Sequence, residues 1–179
     1  MASRFNNCGQ SCIAAKRFIV VPQIADEFLR ELKTRVEALR VGDPMDEATQ
    51  IGPMARLDLR DTLHQQVSDS IAQGAVAVTG CKPVEREGFF YQPSIMDQVT
   101  ADTRAWHEEL FGPVAIIIRA ASEADALRIA NETRFGLGSS IWSTDKARAE
   151  QLAAQIQAGS TFINGMVKSD PRLPFGGVK

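Results

Sequence analysis

The stretch FNNCGQSCIAAKRFIV, Phe5 to Val20, sets two cysteines four residues apart, just ahead of a β-branched run. A thiol is a strong nucleophile only as thiolate, so it needs an electropositive or hydrogen-bond-donating setting. Cys12 precedes Ile13–Lys16, an Ala-rich segment that the sequence predicts as a short helical stretch. A helix N-terminus offers unpaired N–H groups and the positive end of the dipole, both of which favour thiolate. A free cysteine is nevertheless more often a small buried hydrophobe than a nucleophile. Residue types and spacing alone leave that choice open for Cys12, and favour the inert reading for Cys8 and for Cys81, which lies in a turn before Pro83.

Two further segments could touch a ligand. HEELFGPVAIII, His107 to Ile118, puts two carboxylates and Phe111 before Gly-Pro and a buried-looking strand. Loops at strand ends are where α/β proteins carry ligand-contacting groups, although a solvated acidic turn would read the same way. FINGMVKSDPRLPFGG, Phe162 to Gly177, is a Gly/Pro-rich loop with Lys168 and Arg172 as candidate anion anchors or plain surface charges. His64 and His107 are far apart and lack a recognisable partner, and GLGSS lacks the spacing of a phosphate-binding loop.

The elements that must position these residues alternate. Lys16–Val21 has the content of a buried strand, and Pro22 suits the first turn of a helix. Ile24, Phe28, Leu32 and Val36 recur at steps of four, joined by Leu29 and Leu39 into one apolar stripe. A second helix is predicted over Arg56–Gln73, ended by Gly74. AVAVTG reads as a strand, FFYQPSIMDQV as an extended segment that Pro93 holds to an edge or a break, and Pro113–Ala120 as the strongest strand. Ser122 caps a helix with Asp125 three residues on. GLGSSIWS is a glycine-led strand, Thr144 or Asp145 starts the helix DKARAEQLAAQIQA, and Gly159 ends it before STFIN. This order predicts one α/β domain with a largely parallel sheet.

Composition narrows the class. The 179 residues carry a formal net charge of −2, with 44% hydrophobic and 23% charged residues. That balance gives no electrostatic reason to expect nucleic acid or an anionic membrane as partner. Three cysteines at irregular spacing fit neither a disulfide framework nor a zinc site, so no metal is expected. No apolar run approaches the roughly 20 residues that span a bilayer. The expected setting is reducing and cytoplasmic.

Taken in order, GQSCIAAKR after Phe5, EELFGPV (Glu108–Val114), FGLGSSIWS (Phe135–Ser143), FING (Phe162–Gly165) and PFGGVK (Pro174–Lys179) resemble the catalytic half of the aldehyde dehydrogenase superfamily. The resemblance runs over essentially the whole chain. It implies a three-layer α/β catalytic domain occupying residues 1–179, with an NAD(P)-binding region expected upstream and an oligomer-building segment expected downstream, both outside this chain. It also implies NAD or NADP as cofactor, a small-molecule aldehyde as substrate and a homo-oligomeric parent enzyme. Cys12 matches the family nucleophile, which forms a thiohemiacetal and then, after hydride transfer to the nicotinamide, a thioester that water hydrolyses. Glu109 matches the carboxylate that accepts from the nicotinamide-ribose hydroxyls, and Phe111 the aromatic beside them. The family's oxyanion asparagine and general-base glutamate belong to the upstream region, so the chain by itself is expected to be nearly inactive.

Among branches of the family, GQSCIAAKRFIV, IGPMARLDLRDTLHQQV and FINGMVKSDPRLPFGGVK are most similar to bacterial succinate-semialdehyde dehydrogenases. A substrate ending in a carboxylate needs a cationic or hydroxyl anchor, for which Lys168, Ser169 and Arg172 are the candidates. A branch acting on this substrate has an arginine six residues before the nucleophile, where this chain has Asn6; the carboxylate is then anchored differently or the aldehyde is another one. Rival readings are a coenzyme A-acylating enzyme, a cofactor-independent thiol esterase and a non-catalytic interaction module. Cys8 has no assigned task beyond that of an oxidation partner for Cys12.

Overall fold

The computed structural model describes residues 1–179. The chain divides into two compact units, Met1–Arg119 and Ala120–Lys179. No helix is long and apolar enough to cross a membrane.

The first unit is built on a four-stranded sheet in the order β1-β4-β3-β2, from β1 (Arg17–Val20), β2 (Val76–Thr79), β3 (Ser94–Asp97) and β4 (Val114–Arg119). β4 pairs in parallel with β1 and β3, whereas β2 runs antiparallel to β3 along the edge. Every residue from Val114 to Ile118 is buried, so both faces of the central strand are covered. That explains why it reads as an unbroken β-branched run rather than an alternation. The mixed, mostly parallel α/β architecture is the one expected.

β3 lies inside the sheet rather than at an edge. Pro93 stands just before it, where its missing N–H removes no ladder bond, and the Ser94 N–H donates to Pro113 O at 2.8 Å. The helix expected from Pro22 begins later, as α2 (Ala25–Glu37), after a turn that leaves Ile24 half exposed. Its apolar stripe buries Leu32 and Val36 and sets Phe28 5.9 Å, centroid to centroid, from Phe18 of β1. α3 (Leu57–Ala72) buries Leu63, Gln66, Val67 and Ser70, a face of helical period. Gly74 follows with φ +110°. Two single-turn helices complete the unit, α1 (Ala2–Phe5) and α4 (Arg104–His107).

Asp97, at the end of β3, is 4% exposed and accepts from Arg119 Nε and Nη2, while Arg119 Nη1 reaches Asp26 of α2 at 2.7 Å. Paired guanidinium offsets the cost of burying that carboxylate.

The second unit holds α5 (Glu123–Asn131), β5 (Ser139–Ile141), α6 (Lys146–Ala153) and β6 (Thr161–Ile163), with β5 and β6 parallel. Ser122 caps α5 through the Asp125 N–H at 3.1 Å, and Asp125 Oδ2 accepts from the Ala121 N–H at 2.9 Å. Asp145 caps α6. That helix stops at Ala153, short of the expected Ala158. The Asn131 side chain is the reason: its Nδ2 donates to Gln155 O and its Oδ1 accepts from the Gln157 N–H, so these groups turn outward from the helical ladder.

Ile117 is fully buried on the central strand. Ile117→Ala is expected to cost about 2–5 kcal/mol of stability, measured as a fall in urea midpoint at unchanged m value; a loss below about 0.5 kcal/mol would mean that β4 is not the centre of the core.

Candidate active site

The segment before Cys12 is locally strained. Asn7, Cys8 and Gly9 all take positive φ (51°, 55° and 70°) in a tight turn spanning Asn6–Gly9. Left-handed conformations cost an ordinary L-residue roughly 1–2 kcal/mol. Only glycine fits at position 9, because a Cβ there would lie 2.2 Å from Gly112 O and 2.5 Å from Arg4 Nη2.

Arg4 holds this turn. Its side chain, on α1, is fully buried and donates to Ala15 O, Gly9 O and Leu110 O at 3.1 Å each, and to Gly112 O. One guanidinium thereby ties the segment before and after Cys12 to the EELFGP loop. Burial pulls its pKa down to about 10, against the opposing pull of the Glu109 charge, so it remains a cation at neutral pH. Gln10 adds a second tie, its Oε1 accepting from the Ala55 N–H at 3.0 Å.

The helical stretch expected over Ile13–Lys16 does not form. Those residues make a turn, with the Ala14 N–H on Ser11 O at 3.1 Å, and then enter β1. The Ala15 N–H is drawn to Ser3 O at 2.6 Å instead of into a helical ladder. No helix dipole therefore serves Cys12, whose side chain is exposed. A lysine supplies the positive charge in its place. Lys16 Nζ lies 2.6 Å from Ser11 O, 3.4 Å from Cys12 O and 3.1 Å from Glu109 Oε1, and 5.2 Å from the centre of the Phe111 ring. Desolvation lowers the Lys16 pKa, while the hydrogen bond and charge of Glu109 and the nearby Cys12 oppose that.

Lys16 thus brings Cys12, Glu109 and Phe111 together. The acidic pair, alike in sequence, is divided by the fold. Glu108 is taken up by Arg104 Nε at 2.9 Å and Gln66 Nε2 at 2.9 Å, whereas Glu109 stays exposed with only Oε1 committed to Lys16. Gln66 also donates to Glu109 O, fixing the loop to α3. A half-open carboxylate beside an exposed aromatic face fits a diol with an adjoining ring, as in a nicotinamide riboside.

The other thiols differ. Cys8 is buried with its sulfur 3.5 Å from Gly52 O, and desolvation pushes its pKa up to about 12. Cys81 is buried as well, at about 11. All three cysteines are free. His64 Nδ1 pairs with the Tyr91 hydroxyl at 3.2 Å, and His107 Nε2 with Ala101 O at 2.7 Å, so neither histidine is committed to a thiol.

In the second unit, Lys168 and Ser169 are exposed on the loop after β6. Arg172 donates through Nε and Nη2 to Asp170 at 2.9 and 2.7 Å, which holds the Asp170 carboxyl at about 2. The structure brings these three candidates into one loop, with the arginine already paired. Sequence reasoning passed over Lys16 and Arg4. The four-residue step from Cys12 to Lys16 was a signal for the first; nothing local announced the second.

The aldehyde dehydrogenase family model matches residues 1–179. The chain is 48% identical over 179 residues to a succinate-semialdehyde dehydrogenase named for NADP(+) from Mycobacterium ulcerans (strain Agy99), covering 100% of this chain and 39% of that protein. It is 46% identical to a succinate semialdehyde dehydrogenase named for NAD(P)+ from Escherichia coli (strain K12), again covering 100% of this chain and 39% of the other. Among solved structures, succinic semialdehyde dehydrogenase from Streptococcus pyogenes in complex with NADP+ is similar with a TM-score of 0.95 at 36% identity, over 99% of this chain and 39% of that one. Mycobacterium tuberculosis aldehyde dehydrogenase complexed with NAD+ gives 0.94 at 36% identity, over 99% and 37%. The chain spans about two-fifths of the length of these curated relatives.

Three outcomes follow from the geometry. At pH 8, iodoacetamide is expected to label Cys12 alone in the folded chain; Cys8, with its pKa near 12, holds only about one thiolate in 10⁴ and is buried. Peptide mapping reads this, and comparable labelling of Cys8 would contradict its burial. Above pH 9 the unfolded chain loses the Cys8 proton while the folded chain keeps it, so this thiol makes stability fall as pH rises from 9 toward 12. Gly9→Ala is expected to cost roughly 2–4 kcal/mol in a urea melt, through positive φ and the contact with Gly112 O.

Proposed function

The chain belongs to the aldehyde dehydrogenase family, matched over residues 1–179, and from that footing we propose that it carries the thiol site of an NAD(P)-dependent enzyme oxidising an aldehyde, succinate semialdehyde in particular, to the carboxylate. The observation that carries this reading is the gathering of an exposed thiol, a half-open carboxylate and an exposed aromatic face around one ammonium.

Cys12 forms the carbon–sulfur bond to the aldehyde carbon, for which its exposure and the adjacent Lys16 charge suit it. The carbonyl oxygen gains negative charge in that step, and the Cys12 backbone N–H is the donor this chain offers it. Glu109 accepts from ribose hydroxyls through its uncommitted oxygen, and Phe111 covers the adjoining ring. NAD or NADP, when bound, supplies the hydride acceptor. Release of the acyl group needs water at the thioester carbon.

The residues proposed for a second carboxylate are Lys168, Ser169 and Arg172, the cationic and hydroxyl groups of the loop after β6. Asp170 holds the Arg172 fork in one orientation, which lowers the entropy lost on binding. Relatives named as succinate-semialdehyde dehydrogenases support this choice over an aldehyde without a carboxylate.

The test is made on the enzyme that carries these residues, with both cofactors and an aldehyde panel. Cys12→Ser is expected to lower kcat at least about 10³-fold, and turnover retained in that variant would end the assignment of the nucleophile. Glu109→Gln is expected to raise the cofactor KM. Arg172→Ala should raise the KM for succinate semialdehyde by about tenfold while leaving butanal within about twofold. A preference for butanal in the unaltered enzyme would overturn the substrate.

A further inference from the structure

Lys16 is buried to 17% side-chain exposure and has three donors and three acceptors in reach: Ser11 O, Cys12 O and Glu109 Oε1. One is the nucleophile's own carbonyl, one that of the preceding Ser11, and the third belongs to the cofactor-facing carboxylate. The ammonium therefore has no spare N–H, and any partner that draws on Glu109 draws on Lys16. Phe111 closes the remaining side at 5.2 Å. The charged and titratable groups around this ammonium are Glu109 from the acidic loop, Arg4 from α1 and Cys12 from the turn; Cys8 faces Arg4.

We propose that Lys16 is a positioning residue that couples Glu109 to Cys12: the carboxylate neutralises the ammonium when Glu109 has no other partner, and leaves the ammonium's positive charge to the thiolate when hydroxyl donors engage Glu109. The coupling rests on reading Cys12 as the nucleophile and Glu109 as the cofactor carboxylate, and it deepens that reading by giving the carboxylate a second task. A hydroxyl donating to Glu109 competes for the density that Lys16 now holds. As that ion pair weakens, the positive charge beside Cys12 is less screened, and thiolate is favoured over thiol.

The sign of the effect separates this from a merely structural lysine. Removing the cation is expected to slow Cys12 alkylation at a given pH. Removing the anion, with the cation left in place, is expected to speed it. The experiment is the pH profile of Cys12 alkylation by iodoacetamide in the 179-residue chain, with Cys8 and Cys81 monitored by peptide mapping as internal controls. Lys16→Met is expected to shift the profile up by about one unit and to slow labelling at pH 7 about five- to tenfold. Lys16→Arg, which keeps the charge, should stay within about 0.3 unit of the parent. Glu109→Gln should move the profile down by about half a unit; because Glu109 is exposed, this variant reads the coupling even if Lys16→Met does not fold.

An unmoved profile in Glu109→Gln, or shifts of the same sign in both charge-removing variants, overturns the coupling. So does a shift in Lys16→Arg as large as in Lys16→Met, which would mark Lys16 as a packing residue. None of these readouts requires turnover. If the coupling fails while Cys12→Ser still abolishes oxidation, the proposed function stands without it; if the profile shifts as described while Cys12→Ser stays active, the nucleophile assignment fails alone.

Discussion

The site of this chain depends on one buried guanidinium. Arg4 has no exposed surface and donates to four backbone carbonyls, at Gly9, Ala15, Leu110 and Gly112. Two lie on the segment that bears Cys12 and two on the loop that bears Glu109 and Phe111. A buried cation is costly unless its donors are met; the four carbonyls meet Nη1 and Nη2, while the buried Nε has no partner. The planar geometry of arginine matters here, since a lysine could not reach four acceptors spread over two loops. The turn at Asn7–Gly9 persists in left-handed conformations because this clamp and the close approach to Gly112 over-determine it.

With the backbone fixed, the electrostatics of the thiol follow from the count of charges. Burial lowers the Lys16 pKa most, and repulsion from Arg4, the other cation nearby, adds to that. Glu109 is one anion acting on both. The balance is one net positive charge around Lys16, whose ammonium is partly buried and so screened less than at the surface. A helix N-terminus sets a positive potential through its dipole. Here the charges are discrete ones on side chains.

Much of the scaffold was legible from residue pattern, and the reasons differ by element. β4 showed itself because burial on both faces demands a continuous apolar run, and α3 because one face repeats at helical period. Pro93 marks a break just before β3 and not an edge strand, a choice the sequence leaves open because it shows that a proline is near a strand but not whether its missing N–H falls inside the ladder. The early end of α6 was invisible because a side chain from another helix, Asn131, intercepts the groups that would have continued it. The Ile13–Lys16 turn was read as helical from alanine content, while the backbone there is claimed by Ser3 and Arg4.

Arg4 and Lys16 were illegible for a common reason. A lone basic residue reads as solvated unless its partners are known, and the partners of Arg4 at Leu110 and Gly112 lie more than a hundred positions away. The neighbouring glutamates show the same limit from the other side. Glu108 and Glu109 are chemically identical and adjacent, yet Glu108 is absorbed by Arg104 and Gln66 while Glu109 faces outward beside Lys16. Strand-end geometry makes that division: successive residues in an extended segment point to opposite sides, so one carboxylate is turned to α3 and α4 and the other to Lys16. The structural carboxylate fixes the loop, and the loop in turn fixes where the chemically available one stands. A substitution at Glu108 would therefore act on the site through the position of Glu109, without either residue having changed its chemistry.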